Sequence, residues 1–217
     1  MDALMLQTLA HRCAQLRTCV LRRQTGASLI VALMMLIAVM VLGAAAAQMA
    51  LQGEKAARNE RERQIAFQAA EAALLDAETD IEDAGDAASS RSTLFAHDST
   101  EGFVADCGSG KANPHLGLCL RAEGDKPVWL AVDFLDQSDQ ARTVPYGHFT
   151  GQAFQTGQGV MPARLPRYVI ELMPFNMPGG DATAEGISYF YRITAVGFGT
   201  RESTQVVLQT FYRKQGT

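Results

Sequence analysis

The sequence lacks any charged residue between Arg23 and Glu54, which leaves 30 consecutive uncharged positions in a chain of 217 residues. Most of these positions are apolar, and a helix needs about 20 such residues to cross a hydrocarbon core roughly 30 Å thick. A water-exposed amphipathic helix of this length would carry charges on its polar face. The run therefore predicts a membrane-spanning helix and excludes an ordinary surface helix over this stretch.

Acidic residues are scarce before this run, where Asp2 is the single acid. Four basic residues accompany it: Arg12, Arg17, Arg22 and Arg23. By the positive-inside rule, this bias places the N-terminus in the cytoplasm and the rest of the chain across the membrane. We expect residues 1–26 to be a leader outside the fold. The remainder carries 15 basic and 22 acidic residues, a balance that gives no reason to expect a nucleic acid as a partner.

The sequence also lacks the short signatures of common catalytic and nucleotide-binding sites. It contains no G-x-S-x-G, Walker A, G-x-G-x-x-G or H-E-x-x-H pattern. The four histidines, at positions 11, 97, 115 and 148, are scattered along the chain. We therefore expect no enzyme activity, no cofactor and no metal. A signal-anchored periplasmic enzyme or binding domain stays open as an alternative, because an apolar helix of this kind can anchor such a domain.

Cysteine is sparse, with four residues in two separate pairs. Cys13 and Cys19 lie in the leader, where thiols stay reduced. Cys107 and Cys119 lie 12 positions apart in the exported part, where an oxidising compartment favours a disulfide. Closing a loop of this size contributes about 3 kcal/mol in the chain-entropy model. Two unpaired thiols or a metal site remain alternatives, although His115 is a single nearby histidine and zinc usually takes four ligands.

Proline and glycine are absent from residues 54–83, where the strongest helix formers dominate. Apolar residues recur there at spacings of 3 and 4, the period of a helix with one apolar face. These residues are Phe67, Ala70, Leu74, Ala77 and Ile81. The sequence predicts one helix, with a transmembrane half over 27–53 and an amphipathic half over 54–84. Asp80 is expected at its hydrated end, and Gly85 is expected to terminate it.

The C-terminal part contains three segments with the period-2 alternation of β-strands. They are Arg167–Met173, Ile187–Gly197 and Ser203–Arg213. An antiparallel sheet with one apolar face needs a cover, which the five apolar residues of the amphipathic half can provide. The chain is therefore predicted to be an α+β protein with a globular head over 85–217. Within the head, residues 86–166 are mainly loop, and 128–134 suit either a strand or a helical turn.

Three stretches carry a resemblance to known proteins. Gly26 is followed by Ala27-Ser28-Leu29-Ile30-Val31 at the head of the apolar run. Residues 59–78 contain AFQAAEAAL, and the chain closes with YRITAVGFGT and TQVVLQTFYRK. The first stretch resembles the processing pattern of type IV prepilins, a glycine followed by roughly Phe-Thr-Leu-Ile-Glu. The other two resemble the PilX family of type IV pilus minor pilins.

The resemblance implies cleavage by a prepilin peptidase between Gly26 and Ala27 and N-methylation of the new N-terminal Ala27. It implies a single-pass inner-membrane subunit with a periplasmic head, which later enters a pilus. The implied partners are the lipid bilayer, the inner-membrane assembly machinery, other minor pilins, the major pilin and, as a further option, a tip adhesin. The implied function is pilus assembly in support of adhesion or twitching motility. A pseudopilin of a type II secretion system remains an alternative.

Val31 replaces the glutamate of the prepilin pattern. An ionised carboxylate in hydrocarbon is costly and needs a partner, and the resemblance implies that its partner is the N-terminal ammonium of a neighbouring subunit. Val31 cannot form this pair. We therefore expect a subunit that initiates or caps the pilus at its tip and does not stack in long runs.

Overall fold

A single long helix connects two compact units of the chain. The computed structural model describes residues 27–82, 89–95, 99–122, 124, 126–175 and 188–214. The units divide between Glu54 and Lys55, and helix α1, Ala27–Glu82, contributes to both. The predicted leader and the predicted helix end at residue 84, with Gly85 beyond it, lie outside the described residues.

The second unit contains a five-stranded sheet. Residues 85–217 of this unit, which follow α1, are called the head below. Its strands are β1 (Leu118–Leu120), β2 (Val144–Pro145), β3 (Arg167–Phe175), β4 (Ser188–Phe198) and β5 (Gln205–Tyr212). The three long strands lie within two residues of the predicted segments and pair antiparallel in the order β3-β4-β5. The sheet is mixed, because β1 pairs with β3 in parallel while β2 pairs with β3 antiparallel.

Two 3-10 helices complete the regular structure of the described head, at Ser92–Leu94 and Val128–Leu130. The second lies within residues 128–134, where the sequence suited either a strand or a helical turn. The helical turn is the one that forms there.

Helix α1 packs its alanine-rich side on the sheet. The buried apolar residues of the helix are Ala66, Ala69, Ala70, Ala73, Ala77 and Ile81. The last three belong to the same core as Tyr168, Ile170, Tyr191 and Ile193 of the sheet. Of the residues predicted to pack on the sheet, Ala70, Ala77 and Ile81 are buried and Leu74 is half-buried against this core.

The predicted contact between Phe67 and the sheet is wrong, because this side chain is 42% exposed. Successive residues of a helix point about 100° apart, and the sheet lies against the side that carries Ala66 and Ala70. The hydrophobicity of phenylalanine suggested a core position. The structure instead uses small side chains here, which allow the helix to come close to β4.

The other face of the sheet carries a second core, whereas the sequence predicted one apolar face. Its buried members are Cys107, Cys119, Val128, Val132, Phe134, Val169, Val196 and Phe198. Five of these residues lie before β2, one of them in β1, one in a 3-10 helix and three in irregular segments, so no period in the sequence marks them as a layer. Residues from the loops and the second 3-10 helix therefore cover part of the sheet face opposite α1.

The predicted disulfide is present between Cys107 and Cys119. Cys119 is in β1, and the segment before Cys107 lies along the same strand. The Leu120 N–H donates to the Val104 carbonyl at 2.9 Å, and the Gly108 N–H donates to the Leu118 carbonyl at 3.1 Å. The disulfide thus fixes a loop on the outer edge of β1.

Candidate assembly surfaces

The described part of the first unit, residues 27–54, is a helical segment whose surface is available for contacts with lipid or with other chains. Along the described helix, no residue before Ala66 is buried. This single helix has the length and apolar composition needed to cross a membrane. Residues 43–47 (GAAAA) form a stretch of small side chains, and a Cβ added to Gly43 would meet no atom within 4 Å. Small residues of this kind let helices approach closely in a membrane.

The first two turns of α1 contain Ala27 and Val31, the helical residues for which the sequence predicts specific roles in processing and assembly. Ala27 is the first helical residue, and Val31 lies in the next turn with its side chain more than half exposed. No acidic residue lies in the first turn. Gly26 lies outside the described residues, so cleavage before Ala27 and methylation of Ala27 stay predictions.

A buried ion pair joins α1 to the first described loop of the head. The Arg91 guanidinium donates to both carboxylate oxygens of Asp80 at 2.7–3.1 Å, and the two side chains are 2% and 0% exposed. Arg91 also donates to the carbonyls of Pro114 at 2.8 Å and Leu116 at 2.6 Å. Its guanidinium carbon lies 3.6 Å from the centroid of the Phe149 ring. The charges are tolerated in the interior because they are paired and hydrogen-bonded.

The same carboxylate connects the helix to the sheet. The Tyr168 hydroxyl of β3 donates to Asp80 Oδ2 at 2.9 Å. Burial, together with the Asp80 carboxylate, raises the pKa of the Tyr168 phenol well above its usual value. The phenol therefore keeps its proton and remains a donor to Asp80. One helical residue thus binds a loop and a strand at the same time.

Asp76, one turn before Asp80, fixes a second loop of the head. Its carboxylate accepts hydrogen bonds from the Gly147 N–H at 2.8 Å and from the Thr150 hydroxyl. Burial raises the pKa of Asp76, while these two hydrogen bonds act in the opposite direction. Gly147 has a φ of +75°, and a Cβ there would lie 2.0 Å from the Gln152 carbonyl oxygen. A glycine is needed at this tight turn for both reasons.

The expectation that Asp80 lies at a hydrated helix end is wrong, because this residue is fully buried. Its partners Arg91 and Tyr168 are 11 and 88 positions away in the sequence. A single acid among several on an acidic helix has no local pattern that separates it from its neighbours. Arg91, an arginine in a serine-rich segment, is the one local hint of a buried ion pair. The sequence does not show which acid it pairs with.

The hairpin of β4 and β5 is held to α1 at both of its ends. Thr200, in the turn, donates its hydroxyl to Glu62, and the Arg201 N–H donates to the same carboxylate at 3.3 Å. At the far end, the Tyr212 hydroxyl donates to Glu82 at 2.5 Å. These contacts show that β5 runs in the same direction as α1.

Among the residues that the structure describes, no cluster of three or more His, Cys, Asp or Glu could hold a metal ion.

A helix able to enter a membrane, continued by an α+β head that packs on its second half, is the arrangement of a pilin-like subunit. Two family models match the chain: one described as PilX N-terminal over residues 25–75, and one described as type IV pilus assembly protein PilX C-term over residues 115–214. The chain therefore belongs to the PilX family of type IV pilus assembly proteins. No curated protein and no solved structure matches it.

Membership of this family confirms the resemblance found in the sequence and implies that pilus components are its partners. It favours a type IV pilus over the pseudopilin alternative. The two matched segments contain the apolar half of α1 and strands β1 to β5. Between them, residues 76–114 contain Asp76, Asp80 and Arg91, which hold the helix to the loops of the head.

Proposed function

We propose that this protein is a minor pilin that initiates or caps a type IV pilus and remains at its tip. Its head contacts other minor pilins, the major pilin and a tip adhesin, while its apolar helix packs among the helices of the fibre. Adhesion and twitching motility then depend on it through the pilus that it helps to start. The observation that carries this proposal is Val31 in the first turns of a helix that lacks a nearby acid.

The physical argument concerns the ammonium group that cleavage creates at Ala27. A charged group in hydrocarbon is costly unless an opposite charge pairs with it. In a shaft, each subunit has to supply an acid for the ammonium of the next. The first acid after Ala27 in this chain is Glu54, roughly 40 Å further along the helix. The protein therefore offers no acid to a following subunit at the right depth, which is tolerable at a fibre end and unfavourable in a long stack.

Processing of the leader supplies the first test. We expect the mature protein to begin at Ala27 and to carry one N-terminal methyl group, because a prepilin peptidase would act at Gly26. Mass spectrometry of the N-terminal peptide, on protein purified from the native membrane, measures both features. A Gly26→Val variant should keep the full leader and serves as the control. A mature chain that begins near Ala47, or an uncleaved chain in the wild type, would contradict the proposal and favour the signal-anchored alternative.

Counting subunits per fibre supplies the test of the tip position. We expect the number of copies of the wild-type protein per pilus to be independent of fibre length. Val31→Glu restores an acid and is expected to make the copy number rise severalfold with length, because a following ammonium then finds its partner. Quantitative labelling of sheared pili, sorted by length, measures the ratio.

The Val31→Gln variant is the matched control for Val31→Glu, because glutamine has nearly the same size as glutamate but carries no charge. It should behave like the wild type in this count. Wild-type copies that increase in proportion to fibre length would show that the protein is a shaft subunit, and the tip proposal would be lost.

A further inference from the structure

The outer edge of β5 is an open row of backbone groups in the described part of the head. β5 is the last strand of the sheet, and no described strand pairs with its outer side. The Gly199 N–H donates to the Thr204 carbonyl at 2.8 Å. Because hydrogen-bonded and non-hydrogen-bonded pairs alternate in an antiparallel ladder, this bond shows which residues of β5 bond to β4. With the register of β4 and β5, the even-numbered residues from Val206 to Tyr212 bond to β4. The odd-numbered residues from Gln205 to Phe211 direct their backbone N–H and carbonyl groups outward.

This edge lacks the protection that edge strands of soluble proteins usually have. Charges, prolines, bulges and short length normally prevent an edge from pairing with another chain. β5 is eight residues long and contains neither proline nor a charged side chain. Its pairing with β4 continues without a bulge over all eight residues. On the face opposite α1, Val207 is 44% and Phe211 is 64% exposed.

The opposite edge of the sheet is covered, which excludes one way of joining copies of this chain. β1 is three residues long, and residues 104–108 lie along its outer side, fixed by the disulfide. Head-to-tail pairing of two copies would place β5 of one beside β1 of the next. The loop at β1 occupies that position.

Direct pairing of β5 with β5 of a second copy is also unfavourable. In an antiparallel pair, α1 of the second copy is reversed, because α1 and β5 run in the same direction. Lys55, the first residue of the second unit, would then lie at opposite ends of the two copies, which does not suit two chains anchored in one membrane. In a parallel pair, the side chains of Val207 and Phe211 from the two copies lie on opposite faces of the sheet. They would then not cover one another.

We propose that the outer edge of β5 binds an extended segment of a different pilus-assembly subunit, which adds a strand to the sheet. Main-chain hydrogen bonds supply affinity in this mode, and alternate side chains supply specificity. The bound segment carries β-branched or aromatic side chains at alternate positions, where they cover Val207 and Phe211. This assignment rests on membership of the pilus-assembly family and is independent of the position at the tip.

A row of three aromatic side chains on the sheet face opposite α1 supports a bound strand of this kind. Phe211 lies 5.6 Å from Phe190, and Phe190 lies 6.3 Å from Phe175, both measured between ring centroids with the rings edge to face. The row crosses β5, β4 and β3 and ends at the open edge. A strand bound beside β5 would extend this row if it placed an aromatic or β-branched residue next to Phe211. Cross-strand pairs of this kind stabilise a sheet.

Gln209→Pro tests the proposal, because it removes an N–H that points outward and leaves every main-chain bond to β4 in place. The bond from the Gln209 side chain to the Thr194 hydroxyl of β4 is lost in this variant and in its control alike. Gln209→Ala changes the same side chain and keeps the N–H, so it is the matched control. Each full-length variant is co-expressed with the other minor pilins of its pilus, and the complex is purified in detergent. We expect Gln209→Pro to reduce co-purification at least about tenfold relative to Gln209→Ala, as loss of a main-chain bond in a strand pair predicts.

Hydrogen exchange of the wild type provides the second measurement. In the complex, the amides of Val207, Gln209 and Phe211 should exchange more slowly than in the protein alone, while the β4-bonded amides stay protected in both.

If Gln209→Pro does not fold, Val207→Lys is the substitute variant, since a charge blocks edge pairing without affecting the backbone. Equal exchange in both states, or equal co-purification of the two Gln209 variants, would overturn the proposal. Protection of these amides in a dimer of the protein alone would assign the edge to a second copy instead. Fibre counting tests the tip position separately.

Discussion

Arg91→Ala is expected to lower the free energy of unfolding by about 3–5 kcal/mol, because it leaves the Asp80 carboxylate buried without its charged partner. The loss includes two hydrogen bonds from Arg91 to backbone carbonyls, whose acceptors stay in the interior. It also removes the contact between the guanidinium and the Phe149 ring. Denaturant unfolding of the full chain in detergent, followed by the fluorescence of the single tryptophan, measures the change.

The exposed pair of Lys111 and Asp139 offers a matched control. Its nitrogen and oxygen are 2.9 Å apart, and the side chains are 59% and 84% exposed. Lys111→Ala should therefore cost less than about 1 kcal/mol. Combining Arg91→Ala with Asp80→Asn should recover part of the loss, since the uncompensated charge is then gone. A cost for Arg91→Ala as small as that of Lys111→Ala would show that the pair does not hold the head to the helix.

The pair matters for assembly because it determines how the second half of α1 is attached to the head. Asp80 binds the loop at Arg91 and strand β3, and Asp76 binds the loop at Gly147. All three attachments lie within two turns of one helix. The loops and β3 are thereby held in fixed places on the second half of the helix. Weakening the pair is expected to affect assembly through this attachment, without changing any surface residue.

Elements with a strong period could be predicted from the sequence. The long helix and strands β3, β4 and β5 repeat their apolar residues at the spacing that a helix or a strand requires. The buried face of the helix could be predicted only in part, because alanine contributes little hydrophobic signal. The apolar period selects Phe67, which is exposed, and does not include Ala66, Ala69 and Ala73, which are buried. The structure selects small residues there for close approach, a requirement that hydrophobicity does not report.

Features that depend on distant partners could not be predicted. The strand Leu118–Leu120 exists because it pairs with β3, some 50 positions later, and three residues show no alternation of their own. The second core likewise includes Val128 from a short 3-10 helix and Phe134 from a loop, and neither lies in a segment with a period of its own. The disulfide was the exception, because two cysteines in an exported segment have few other uses. The open edge of β5 follows from the order of the strands, which no local pattern in the sequence determines.

Gly197→Ala is expected to destabilise the head by about 3 kcal/mol or more, at the upper end of the cost of overpacking a core. A Cβ at this position of β4 would lie 2.1 Å from the Ala66 carbonyl oxygen and 2.3 Å from the Ala70 nitrogen. Both atoms belong to the helix backbone and cannot turn aside as a side chain can. The helix would have to move away from the sheet, which loosens the contacts of Ala73 and Ala77 with the core.

Gly43→Ala is the matched control, because a Cβ there meets nothing within 4 Å. Alanine favours a helix over glycine by up to about 1 kcal/mol, so this variant should be as stable as the wild type or slightly more stable. Thermal unfolding of the full chain in detergent, followed by circular dichroism, compares the two substitutions. An unchanged midpoint for Gly197→Ala would mean that α1 does not contact β4 this closely. The alanine-rich side of the helix would then need another explanation than the close approach of two backbones.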